Sequence, residues 1–273
     1  MMSRFLFLFF LFTVYAPSVH ADLSEDEVSE LFEAAQLEEL FRLRLESFPD
    51  VFRSNLLKIP GVNKSLVEKS AALLKTKMAE QVRVQLPQFR EQLRKDLSQK
   101  EYEKIAKFFK TKDGQRFVKS SLSAVSNAEQ VDSIINLVLQ EKFDRRKARQ
   151  VLKIYSEQVW GKAAMQFAKI GGYLGFYLDL YLKGGDPADL DDFSIFWEEN
   201  AVTLGVEAGY TRLAWLFIVY SEFPADVLKN YARFLRSKQS KKFDEIWNYH
   251  QVEVFRNAVN ETLIALERAR IAV

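Results

Sequence analysis

Side chains that most often carry catalysis are scarce in this sequence of 273 residues: it has no Cys, and its two histidines are His20 and His250. Nucleophilic catalysis sets a Ser, Thr or Cys beside a base, and without Cys the usual base is His. His20 lies in an N-terminal stretch that reads as removable, so His250 stands alone. It follows Trp247 by three residues, in Trp247-Asn248-Tyr249-His250, on the inner stripe of a long C-terminal helix that also carries Phe243 and Val254. A single His on such a stripe reads as a hydrogen-bonded core or boundary residue. Zinc sites built from Cys and His are excluded by counting.

Carboxylates are the remaining chemistry. Asp186, Asp189, Asp191, Asp192, Glu198 and Glu199 form an acidic run whose oxygens suit a hard cation, but the EF-hand spacing is absent, with its central Gly and twelfth-position Glu. Asp residues at a helix start cap free amides and complement the helix dipole, which accounts for the run. Gly171-Gly172 and Gly184-Gly185 lack the surrounding motif and the preceding strand of a phosphate-cradling loop. No catalytic, cofactor-binding or metal-binding residue is assigned, and the expectation is a protein that binds rather than catalyses.

Two features point to binding. The first is charge. Residues 22–50 hold ten acidic and two basic side chains, residues 83–119 hold eleven basic and five acidic, and Lys229 to Lys242 hold six basic and none acidic. Lys229, Arg233, Arg236, Lys238, Lys241 and Lys242 form a candidate partner-binding basic face. An acidic protein of the periplasm or envelope suits it, as does peripheral contact with anionic lipid, while a nearly neutral exported chain does not suit nucleic acid. The competing expectation is that these charges pair with acidic helices of the same chain.

The second feature is apolar. Ile170 to Leu182 and Val202 to Tyr220 are apolar on nearly all sides, yet Asp179 interrupts one, and Glu207 and Arg212 the other. Neither makes a clean membrane span, and both belong at the centre of a bundle, with Asp179 placed to pair with Lys183. Gly171, Gly172, Gly175, Gly205 and Gly209 either bring helices close together or thin them enough to leave a cavity. Tyr173, Phe176, Glu207, Arg212, Trp215 and Phe217 are the candidate lining for an apolar small molecule or lipid.

The elements that must position these residues are helical throughout, with no period-2 alternation. Ser24 with Glu27, Ser98 with Glu101, and Ser126 with Glu129 have capping-box spacing, in which each side chain satisfies the other residue's free amide. Asp186-Pro187 and Phe223-Pro224 open two more helices. Turns are expected at Ile59-Pro60-Gly61, Asp113-Gly114 and Gly184-Gly185. The fold class is all-α, a bundle of about eight to ten helices.

An internal repeat organises the bundle. Leu97 to Val118 aligns without gaps on Phe223 to Asp244 at an offset of 126, with identities at Ala106/Ala232, Phe108/Phe234, Lys112/Lys238 and Phe117/Phe243. In both copies the apolar residues follow helical spacing and give one buried stripe. Each copy reads as a helix, a corner and a second helix. Aromatics pack across the corner, and Gly114 is free to take a positive φ.

The stretch Leu97-Ser98-Gln99-Lys100-Glu101 through Phe108-Phe109-Lys110-Thr111-Lys112-Asp113-Gly114 resembles the motif of a bacterial exported helical family, domain-of-unknown-function family 2059. That motif has a Leu-Ser helix start, an aromatic pair and a short turn. Here the turn lacks the family's Pro, and the second copy has Ser240 in place of Gly. The resemblance implies a helical exported protein and carries no activity or functional residue with it.

Arg4, the apolar run Phe5 to Tyr15 and Val19-His20-Ala21 have the order of a secretory signal peptide cleaved after Ala21. An exported chain without Cys suits a bacterial periplasm, or secretion, better than a eukaryotic route. Removing residues 1–21 leaves 252, twice the repeat offset, which gives a first helical module at 22–147 and a second at 148–273. The expected function is a non-catalytic periplasmic interaction or chaperone-like module. The alternative is a carrier of an apolar small molecule or lipid between the central helices.

Overall fold

Residues 22–46, 48–57, 63–125, 144–182 and 191–271 are described by a computed structural model and form eleven α-helices, with no strand among them. In chain order they are α1 (Glu25–Ala35), α2 (Leu37–Glu46), α3 (Phe48–Leu56), α4 (Lys64–Asp96), α5 (Gln99–Lys110), α6 (Lys112–Val125), α7 (Arg145–Glu157), α8 (Trp160–Leu182), α9 (Asp191–Tyr220), α10 (Ala225–Arg236) and α11 (Lys238–Ile271). The fold is an all-α helical bundle. The Ser126/Glu129 box, Asp186-Pro187, Ile59-Pro60-Gly61 and Gly184-Gly185 lie outside the described residues.

Local chemistry sets the helix ends. The Ser24 amide donates to Glu27 Oε2 at 2.8 Å and the Glu27 amide to Ser24 Oγ at 3.3 Å, closing the box that opens α1. The Ser98 amide donates to Glu101 Oε2 at 3.0 Å at the start of α5. The break between α1 and α2 is made by Gln36 in the left-handed region, φ 47°, a position no sequence signal marks. Pro87 sits inside α4 on its exposed side, where the carbonyl it leaves without a helical partner faces water.

Two cores result. In the first, Phe41 of α2, Phe89 of α4 and Trp247 of α11 form a triad with centroids 5.4 to 5.9 Å apart, surrounded by apolar residues of α1, α5 and α8. Each fully buried Phe or Leu here stabilises by about 1.5–3 kcal/mol relative to its exposed state. α4 and α11 run antiparallel along this core, because His250 meets Gln85 and Gln92 while Glu261 meets Gln81 and Lys77. The second core joins Phe117 of α6 to α7, α9 and α10, with Phe117 stacked 4.4 Å from Phe223 and 4.1 Å from Tyr231.

The two helix corners related by the offset of 126 have the same construction. At the offset of 126, α5 and α10 begin and end in register, and so do the starts of α6 and α11. Thr111 donates its amide to the Phe108 carbonyl at 3.0 Å, as Ser237 does to Phe234, with φ and ψ of −71° and 155° against −65° and 145°. The Gly114 amide donates to Thr111 Oγ1 at 3.0 Å, and the Ser240 amide to Ser237 Oγ at 3.2 Å. Phe108 and Phe234 then stack on one another, 3.9 Å apart and 10° from parallel. Beyond the corners, α11 buries Phe243 in the first core, and α6 buries Phe117 in the second and Val118 in the first. The cores therefore interleave across the middle of the chain.

The reading of Asp113-Gly114 as a turn with positive φ is corrected. The corner bends at Thr111, Gly114 lies in the first turn of α6, and its φ is not positive. Glycine is needed there for space, since a Cβ would sit 2.2 Å from the Phe108 carbonyl oxygen.

Candidate functional site

His250 is buried at 3% exposure. Its Nδ1 lies 3.0 Å from Gln85 Oε1 and its Nε2 2.7 Å from Gln92 Oε1, with the ring against Phe89 and Tyr249. Burial pushes its pKa down to about 4, so the imidazole is neutral near pH 7. A neutral ring donates at one nitrogen and accepts at the other, so one of the two carboxamides turns its NH2 toward it. No Ser or Thr hydroxyl bonds the ring among the described residues. Of the acidic run, Glu198 and Glu199 are exposed on α9, Asp191 and Asp192 open that helix, and Asp186 and Asp189 fall outside the described residues. No group of three His, Cys, Asp or Glu side chains placed to hold a metal occurs among the described residues.

Part of the charge asymmetry resolves within the chain. Asp22 pairs with Arg94 at 3.1 Å, Glu25 with Arg90 at 3.4 Å, and Glu30 with Lys110 and the Tyr102 hydroxyl, so the acidic N-terminal helices neutralise part of the basic stretch. In the basic face, Arg236 and Lys241 both hold Glu157, at 2.9 and 3.5 Å, and the arginine contributes most to keeping that carboxyl below its usual range. Lys242 reaches the Asp96 carbonyl and Glu101. Burial pushes the Glu101 pKa up, but the Ser98 amide and Lys242 outweigh it and leave the carboxyl lowered. Arg233 bonds Asn230 one turn earlier, leaving Lys229 and Lys238 exposed without an acidic partner among the described residues. Three of the six candidate cations are thus internal clamps.

The candidate lining residues do not share one cavity. Tyr173 and Phe176 pack on Phe193, at 5.1 and 5.7 Å. Phe217 is buried in the second core with Trp215 packed against that core, and Arg212 stacks over Trp215 at 4.5 Å while donating to Gln158 at 3.0 Å. The side chains of Glu207 and Asp179 lie outside the described residues, as does Lys183.

Placing Val202 to Tyr220 wholly at the bundle centre is also corrected. The C-terminal part of α9 is buried through Ala214, Leu216, Phe217, Val219 and Tyr220, but Val202, Val206 and Tyr210 are 78%, 51% and 65% exposed. These three fall at i, i+4 and i+8 and so share one face. With Ala201, Gly205, Gly209 and Leu213 they line an open apolar groove of about 610 Å³, walled by Tyr155 of α7 and Met165 of α8. The glycines let the walls close on α9: a Cβ on Gly205 would sit 2.6 Å from Met165 Sδ, and one on Gly209 would sit 2.9 Å from the Tyr155 hydroxyl. Gly205 and Gly209 were legible as points of close helix packing, but Val202, Val206, Tyr210, Tyr155 and Met165 were not.

The corresponding helix of the first half measures how unusual this face is. At the offset of 126, Ala201, Val202, Val206, Gly209 and Tyr210 stand against Lys75, Thr76, Glu80, Arg83 and Val84 of α4, all exposed. One helix turns a largely charged face to water and the other an apolar one. No helix among the described residues is long and apolar enough to cross a membrane. No family model, curated protein or solved structure matches the chain.

Proposed function

We propose that the chain is an exported bacterial protein that works by binding, a non-catalytic interaction or chaperone-like module whose contact surface is the groove of α9. The observation that carries this reading is the exposed stripe Val202, Val206 and Tyr210 beside two glycines on which the groove walls close. Exposed apolar side chains gathered on one concave face favour association, whereas scattered single ones need no such account. Tyr155, Met165 and Leu213 continue the same surface.

Export after Ala21 belongs to this reading. Its support is that the fold makes use of Asp22, Leu23 and Ser24 at once: Asp22 pairs with Arg94, Leu23 is buried and donates its amide to the Arg94 carbonyl, and Ser24 caps α1. The exported protein should begin at Asp22 by intact mass. The halves 22–147 and 148–273 are taken as duplicated modules, on the support of the matched corners and the Phe108–Phe234 stack. The resemblance to family 2059 remains part of the proposal and adds no activity.

A photo-crosslinking residue at position 206, compared with one at the exposed Lys100, tests the binding surface in the envelope of the source cells. Discrete protein adducts from position 206 alone are expected. Lipid adducts, with lipid retained in native mass spectra, would favour the carrier reading instead, and no adduct of either kind would remove α9 as a contact surface.

A further inference from the structure

The groove has a length, a shape and a rim. From Ala201 to Leu213 it follows α9 for twelve residues, about 18 Å or three helical turns at 1.5 Å per residue. Its surface is concave between three helices, which suits a rod laid along it better than a flat bilayer. On α8, Lys162 and Lys169 stand three residues before and four residues after the wall residue Met165, on the same stripe of the helix. Both are exposed, and Lys169 lies 5.8 Å from the Trp197 ring at the N-terminal end of the groove. On α7, which supplies Tyr155, Leu152 one turn earlier is exposed at 49%, while Arg149 and Lys153 are exposed on another side of that helix and do not border the groove. None of these four cations has an ion-pair partner among the described residues. The paired basic residues of α10 and α11, by contrast, are consumed internally. Glu198 and Glu199, three and two residues before Ala201, are exposed carboxylates at the N-terminal end of the groove, close to Lys169 and Trp197.

We propose that the α9 groove takes an acidic amphipathic helix of a partner protein, a choice that rests on reading the chain as an interaction module. Apolar side chains at i, i+3 or i+4, and i+7 of the partner pack on Val202, Val206 and Tyr210, alongside Tyr155 and Met165. Carboxylates on one flank of that helix face Lys162 and Lys169 of α8, and its other flank lies along Tyr155 and Leu152 of α7. Apolar anchors supply the affinity and the rim selects the charge, a division common to helix-in-groove recognition.

The probe is a labelled peptide of about 18 residues with Leu at helical spacing and Glu on one flank, titrated against residues 22–273 by fluorescence anisotropy. A second peptide carries Lys at every Glu position, and vesicles of equal parts phosphatidylcholine and phosphatidylglycerol form a third arm. The Glu peptide should bind at least about ten-fold more tightly than the Lys peptide, with the preference shrinking as salt is raised. Val206→Glu and Tyr210→Glu should each abolish binding while melting as the parent does, since both side chains already face water. Lys162→Glu combined with Lys169→Glu should reverse the preference toward the Lys peptide, and this pair keeps the test open should either groove variant fail to fold. Equal affinity for both peptides would overturn the acidic-helix assignment and leave the groove a protein-binding surface. Binding to vesicles without peptide binding would replace the partner by a membrane. If the peptides fail while position 206 still crosslinks to protein, the partner chemistry alone is wrong; failure of both removes the interaction reading as well.

Discussion

His250 is held neutral by burial between two carboxamides, and its consequence is measurable as a pH dependence of folding. Above about pH 6.5 the ring is neutral in both the folded and the unfolded chain and adds no slope. Below that value the unfolded chain takes up a proton first, because the folded pKa is about 4. Stability is therefore lost progressively between about pH 6.5 and about 4, by up to about 3 kcal/mol. Glu157 and Glu101, whose carboxyls are lowered, contribute stability that is present above the ordinary carboxylate range and lost as the pH falls through their folded values. Urea unfolding from pH 7.5 to 4 should show the His250 slope, and His250→Gln should remove it while leaving the steeper fall below. That His250 is a hydrogen-bonded residue of a buried stripe was legible from its spacing to Trp247. Its partners were not, since Gln85 and Gln92 lie more than 150 positions away in sequence. Gly114 behaves likewise: its presence at a corner could be read, but the reason is a carbonyl 2.2 Å from where its Cβ would be. Gly114→Ala should destabilise by about 1–3 kcal/mol in the same unfolding measurement, as overpacking against backbone does. Ser240 already carries a side chain at the matching place, and its corner is looser by 0.2 Å in the amide-to-hydroxyl bond.

Helix ends with explicit capping chemistry were open to inspection, and α1, α5 and α10 begin at or beside the expected residues. The central helices were harder, for a physical reason. In α9 the apolar residues are spread around the whole circumference, so their pattern gives no direction for the core, and only the neighbours decide which side is covered. α7 and α8 cover Gly205 and Gly209 and leave Val202, Val206 and Tyr210 uncovered. Of the two readings of the glycines, close helix packing or a cavity lined by Tyr173, Phe176, Trp215 and Phe217, these four side chains fit the first, because they divide between packing on Phe193 and packing in the second core. The corner helices α5 and α10 meet through Phe108 and Phe234, residues related by the offset of 126. Phe108→Ala and Phe234→Ala should each cost about 2–3 kcal/mol, less than a fully enclosed ring because both are only partly buried. The double variant should fall short of the sum by about 1 kcal/mol, the share that belongs to the stack. Strict additivity in that cycle would deny the stack an energetic role.

At the scale of the molecule, the two cores exchange apolar residues through the helices that follow the corners, with α6 entering both, Val118 in the first and Phe117 in the second. α11, the last helix, lies against α4 of the first half, and α6 of the first half closes the second core through Phe117. Arg116 caps the exchange on one side, over Phe223 at 4.9 Å, while its counterpart Lys242 reaches Asp96 and Glu101 on the other. The likeness of the two corners was readable from sequence because both carry aromatic and hydroxyl residues at matching positions. The exchange was not, because gapless alignment says which segments correspond and nothing about which core each one enters. The same exchange accounts for the surface proposed to bind: α4 is covered by α11, and α9 keeps an apolar face open beside α7 and α8. A protease site placed within residues 126–143, between α6 and α7, tests this most directly. After cleavage the two pieces should co-elute as one particle under native conditions, keep the parent helical circular dichroism, and melt in one cooperative transition. Pieces that separate on the column, each melting by itself, would contradict the exchanged architecture and with it the basis for the open face of α9.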